Sequence, residues 1–130
     1  YEKKEEKSSK RYKNVITAKI YNDNHMIEIA GTVSRARDPL LVEINGYETE
    51  TNLEGFVIMV KNHDRPRVIG PFATALGDEG VNIASMKVAR KNKGEIAIML
   101  INVDHKVEDS VLEKLKDSDG IIGRPLLLEF

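Results

Sequence analysis

Between Asn62 and Met86 the sequence N-H-D-R-P-R-V-I-G-P-F-A-T-A-L-G-D-E-G-V-N-I-A-S-M leaves few ways to fold. Pro71 has no backbone N–H, so a helix tolerates it only among its first positions, whose donors lack an intrahelical partner. Val68, Ile69, Phe72, Ala73, Ala75 and Leu76 nevertheless recur at helical spacing, and Gly77 with Gly80 ends the run. The helix must therefore start near Arg67 or Val68. Its free N–H groups then face the polar loop from Asn62 to Pro66, which makes a site suited to a carboxylate. A strand follows at once and carries Asn82 near its start. This strand-loop-helix-strand path is expected to gather Asn62, Asp64 and Asn82 at one edge of one sheet.

The flanking segments set the architecture. Phe56 to Lys61 (F-V-I-M-V-K) is an unbroken apolar run, as in a strand covered on both faces. Val81 to Val88 reads as a strand, K-N-K-G at Lys91 to Gly94 as a turn, and Glu95 to Val103 as another strand. Val107, Val111, Leu112 and Leu115 mark a second helix over Val107 to Lys116, which ends in Asp117 to Gly120. Ile121 to Phe130 is the last strand, and Pro125 assigns it to an edge. The order β-α-β-β-α-β with right-handed crossovers predicts an α+β fold for residues 55–130, a ferredoxin-like antiparallel sheet with both helices on one face.

Upstream the texture changes. Residues 1–13 are charged and almost free of apolar side chains, so they are expected to form a flexible linker. Val15 to Tyr21 and His25 to Val33 are β-rich runs around an Asn/Asp cluster, hence a hairpin, and Leu40 to Asn45 is a third strand that Gly46 turns. Residues 14–54 thus form a β-rich partial domain. Without a helix it needs further chain to close a core. The polar stretch Glu48 to Glu54 reads as the boundary before Gly55. Because the chain opens on Tyr1, it is expected to be a piece of a longer polypeptide.

Composition narrows the chemistry. With 20 Lys+Arg against 21 Asp+Glu, nothing marks a nucleic-acid or anionic-membrane binder. The strand from Glu95 to Val103 also lacks the aromatics on which RNA bases stack. No apolar run reaches the roughly 20 residues that span a bilayer. The absence of cysteine excludes disulfides and thiolate sites, and agrees with a cytoplasmic location. His25, His63 and His105 share no metal-ligand spacing, and each falls in or beside a turn, so solvated histidines are expected and no metal. Neither a nucleophile elbow nor a glycine-rich phosphate loop is present. No catalytic residue and no cofactor-binding residue is expected here.

A binding role fits better. An amino acid needs donors for its carboxylate, which the helix N-terminus supplies, and an acceptor for its ammonium group, which Asp64 supplies. Asn62 and Asn82 each carry a donor and an acceptor for the ligand's side chain. The competing reading is that Asp64 and Asn82 only cap turns.

The motifs N-x-D-R-P-x-V-I-G, L-G-x-x-G-V-N-I-A-S-M-x-V-x-R and I-A-I-M-L-I-N-V-D resemble the ACT domain that ends the long, serine-regulated type of D-3-phosphoglycerate dehydrogenase. Y-K-N-V-I-T-A-K-I at Tyr12 to Ile20, A-G-T-V at Ala30 to Val33 and L-V-E-I-N-G-Y at Leu41 to Tyr47 resemble the last strands of that enzyme's allosteric substrate-binding (intervening) domain. The resemblance implies a parent that oxidises 3-phosphoglycerate with NAD, with its catalytic domains outside this chain. It also implies ACT sheets that pair side by side and bind L-serine as feedback inhibitor, with Asn62, Asp64 and Asn82 at the contacting positions. Arg67 stands where the family has glycine, so its side chain either obstructs the carboxylate pocket or adds a charge to it. Two alternatives stay open: a purely structural oligomerisation domain, and the regulatory part of an iron-sulfur L-serine dehydratase.

Overall fold

A computed structural model describes residues 2–6, 14–22, 25–34 and 36–130. The chain divides into two compact units, Tyr1–Leu53 and Glu54–Phe130.

The first unit is an antiparallel meander of β1 (Glu2–Glu6), β2 (Val15–Asn22), β3 (His25–Val33), β4 (Pro39–Ile44) and β5 (Tyr47–Asn52), paired in chain order. Val15, Ala30 and Val42 form its apolar cluster, with Leu40 packed against it. Two elements differ from the sequence reading. Glu2–Glu6 is a strand rather than linker, with Glu2 opposite Lys19 and Glu6 opposite Val15. Strand pairing is made by the backbone, so a charged segment can add to a sheet edge without apolar side chains. The remainder of the expected linker, residues 7–13, lies outside the described residues, as do Asp23 and Asn24 of the expected hairpin turn.

The other difference is β5, which occupies most of the polar stretch read as a boundary. Asn45 and Gly46, at φ 48° and 81°, make the tight turn that brings Tyr47 opposite Ile44. Asn-Gly accepts positive φ at both central positions and so suits a two-residue hairpin. Along β5 the burial alternates, with Thr49 and Thr51 inside and their hydroxyls 2.8 Å apart.

The second unit runs β6 (Phe56–His63), α1 (Ile69–Asp78), β7 (Ile83–Arg90), β8 (Ile96–Val103), α2 (Asp109–Leu115) and β9 (Ile121–Glu129). Its sheet has the order β7-β8-β6-β9 with every neighbouring pair antiparallel, the ferredoxin-like arrangement. Ile58 and Val60 of β6 and Met99, Ile101 and Val103 of β8 share one core with Phe72 and Leu76 of α1 and Leu112 and Leu115 of α2. Both helices therefore cover the same sheet face. Pro125 lies on edge strand β9 where the register with β6 shifts, so its missing donor costs no ladder bond in the interior. Pro71 is the third residue of α1, which begins after Val68.

Candidate functional site

The loop between β6 and α1 is fixed from two sides. On one side the backbone N–H of Asp64 donates to the Glu95 carbonyl at 2.8 Å, at the β7–β8 turn. On the other the N–H of His63 donates to the Gly120 carbonyl at 2.8 Å, and Arg65 Nη2 reaches Asp119 Oδ1 at 3.4 Å. Gly120 holds φ 85° directly against Val68, the residue that leads into α1, and an added Cβ would collide with the Val68 side chain. Only glycine satisfies both the dihedral and the space.

Asn62 stands at the loop end of β6. The two-residue side-chain period of a strand places it with Ile58 and Val60 on the face the helices cover. It is 2% exposed. Nδ2 donates to the His63 carbonyl at 3.0 Å, whereas among the described residues no donor reaches the buried Oδ1. Such a group costs the desolvation of its lone pairs, so it is a natural partner for an incoming donor. At the same end, α1 starts with no acidic residue in its first turn and, among the described residues, no side chain capping its free N–H groups.

Asp64 is not free to wait for a ligand. Its Oδ2 accepts Arg90 Nε at 2.8 Å and the backbone N–H of Gly94 at 3.2 Å. These bonds, the Arg90 guanidinium first and the Gly94 amide next, hold its carboxyl below the ordinary value of 3.8. Arg90 does not stand out in the sequence, since it lies 26 residues from Asp64 and beyond the strand expected over Val81 to Val88. The signal lay in register: Asn62 and Arg90 both stand opposite Ala97 and therefore share its face.

Arg67 adopts φ 66°, a left-handed conformation that glycine takes more readily, and its side chain is exposed. Among the described residues no carboxylate pairs with it. A cation thus stands beside the uncapped helix end.

Asn82 lies elsewhere. Its neighbour Ile83 is opposite Val103, and Val103 is opposite Phe56, so Asn82 sits near the start of β6 and Asp64 beyond its end. The eight-residue strand separates them by about 25 Å at ~3.3 Å per residue. The expected gathering of Asn62, Asp64 and Asn82 at one edge does not occur within one chain. The reason is topological: β6 and β7 run parallel with β8 between them, so a residue at the start of β7 lies at the start of β6. Here Asn82 Nδ2 donates to Asp104 Oδ2 at 2.6 Å. Next to it the exposed His105 ring contacts the Lys106 and Gly80 carbonyls.

Comparison with known proteins decides the family. The profile of the ACT domain matches residues 56–120. The chain belongs to the ACT domain family. Beyond the ACT domain, the similarity extends into the first unit. A D-3-phosphoglycerate dehydrogenase of Methanocaldococcus jannaschii is 39% identical over 114 residues, 88% of this chain and 22% of that protein. One of Bacillus subtilis is 32% identical over 120 residues, 92% of this chain and 23% of that protein. The chain therefore spans less than a quarter of the length of these relatives. A probable L-serine dehydratase beta chain of Bacillus subtilis is 33% identical over 82 residues, 63% of this chain and 37% of that protein.

The rest of the ACT domain offers less. Arg124 on β9 reaches Asp109 at 3.2 Å and Glu113 at 3.6 Å, which accounts for two of the carboxylates on α2. Among the described residues no group of three His, Asp and Glu could hold a metal ion, and no helix is long and apolar enough to cross a membrane.

Proposed function

We propose that this chain is the regulatory region of a cytoplasmic, NAD-dependent D-3-phosphoglycerate dehydrogenase, in which the ACT domain binds L-serine as feedback inhibitor. Residues 14–54 are then the end of the allosteric substrate-binding domain. The observation that carries the reading is Asn62, a buried amide whose Oδ1 has no donor at the sheet end where α1 begins uncapped. The ligand's carboxylate meets the α1 N–H groups and Arg67, its ammonium group turns to Asp64, and its hydroxyl satisfies Asn62 Oδ1.

Asn82 joins this site through self-association. β7 is an edge strand of eight residues, mostly exposed, and Val88 and Ile69 leave apolar side chains uncovered. An edge of that length is a template for another strand. Two-fold antiparallel pairing of β7 with β7 of a second copy sets the Ile83 end of one beside the Arg90 end of the other. Asn82 of the second copy then reaches the Asp64 end, which one chain alone does not achieve.

Calorimetric titration with L-serine, beside glycine and D-serine, tests the reading. Saturable heat for L-serine that Asn62→Ala removes is expected. No heat from a protein that still elutes as a dimer would leave a purely structural pairing domain. A dehydratase parent remains the second reading, because a dehydratase beta chain is among the similar proteins; the catalytic domains fused to this chain's natural polypeptide distinguish the two.

A further inference from the structure

Asp64 is asked to receive a ligand's cation while its carboxylate already holds one. Arg90 Nε lies 2.8 Å from Oδ2, and the same oxygen accepts the Gly94 amide. The pair is half sheltered: the Asp64 side chain is 18% exposed and that of Arg90 46%. An ammonium group brought to this carboxylate meets the guanidinium at close range, and like charges sharing one counter-charge repel each other. The surroundings do not relieve this. Arg65 already engages Asp119, and Arg67 adds a further positive charge to the same loop. A carboxylate ligand is welcome here, whereas an ammonium group must compete.

We propose that Arg90 is the affinity and specificity gate of this site: it occupies the carboxylate of Asp64, and a bound amino acid takes its place there. The inference rests on the reading of Asp64 as the ammonium acceptor. Arg90 is the last residue of β7. Its displacement removes one of the bonds that tie the β7–β8 turn to the β6–α1 loop, and Gly94 hangs from the same oxygen. Occupancy of the site is thereby linked to the end of the strand through which two copies would pair. An affinity reduced by a competing internal contact rises when that contact is deleted.

The test compares the wild-type chain with Arg90→Gln and Arg90→Lys by calorimetry, using L-serine and glycerate, which has the carboxylate and hydroxyl groups but no ammonium. Arg90→Gln should tighten L-serine about 2- to 5-fold, the scale of one exposed ion pair, and leave glycerate no tighter. Arg90→Lys should stay near wild type because the cation is retained. L-serine bound equally or more weakly by Arg90→Gln overturns the gate and leaves the serine site intact. Equal tightening of both ligands also overturns it. Absence of L-serine heat from all three proteins overturns the serine site and the gate with it. A measurement on the wild type alone guards against a misfolded variant: the Arg90 Nε–H resonance should lose its protection at L-serine saturation, and its persistence would sink the proposal.

Discussion

Asn62 and Arg90, which are 28 positions apart in sequence (90 minus 62), share Ala97 as their cross-strand neighbour. The two polar side chains flank a single methyl group on the face the helices cover. Asp64 reaches Arg90 from the loop beyond. Register thus builds a small polar end on an otherwise apolar sheet, where side chains directly opposite one another project to the same side. That end is also where α1 begins.

The loop that carries the site depends on Gly120. Gly120→Ala forces a Cβ against Val68 and an L side chain into φ 85°. A loss of about 2–4 kcal/mol is expected from the two effects together. Urea unfolding should show a lower midpoint with an unchanged slope; a shift of under half a kcal/mol would mean the Val68 contact is easily relieved.

Arg67 sits in the left-handed region, so Arg67→Gly relieves about 1–2 kcal/mol of backbone strain. Glycine returns roughly 0.5–1 kcal/mol of this through its freer unfolded chain. Stability should therefore rise slightly or stay level. L-serine affinity should fall about 2- to 5-fold because a carboxylate partner is gone. Tighter binding in the calorimeter would instead identify Arg67 as an obstruction.

His105 gives the unit a pH dependence. The Lys106 carbonyl first, then the Gly80 carbonyl, and the Asp104 charge in addition raise its pKa above the ordinary 6.5. A raised value in the folded state favours folding fully below 6.5 and withdraws that support as pH climbs through the folded value. Asp64 acts in the opposite sense: its lowered pKa supports folding above 3.8 and is lost as pH falls below that value. Urea midpoints should decline on the alkaline side of 6.5, and His105→Gln should flatten that decline. An unchanged profile in the variant would remove His105 as the cause.

Self-association through β7 should be sensitive to Val88, which is 37% exposed on that edge. Val88→Asp places a charge where two copies would meet and should yield monomers in sedimentation at concentrations where the wild type is dimeric. Because Val88 is nearly two thirds covered and a β-branched residue gives way to Asp in a strand, the monomer should also lose about 1 kcal/mol, which urea unfolding separates from the loss of pairing. A variant that remains dimeric would move the pairing surface away from β7.

Some of this was legible in single residues. Pro71 fixed the start of α1 to within a residue or two, because the lack of an N–H is a local property. Pro125 indicated an edge for β9 on the same ground. Gly46 signalled a turn, yet the charged composition of the following segment concealed β5; the alternation of Thr49 and Thr51 carried the period.

What the sequence by itself determined is the order β-α-β-β-α-β, the helix-covered face and the polar composition of the β6–α1 loop, since periodicity and missing donors act over a few residues. Only the tertiary structure decided which polar groups meet. It separated Asn82 from Asp64 by the length of a strand, and it paired Asp64 with Arg90. Both outcomes follow from the insertion of β8 between β6 and β7, a choice made by packing over the whole sheet and written in no local run of residues.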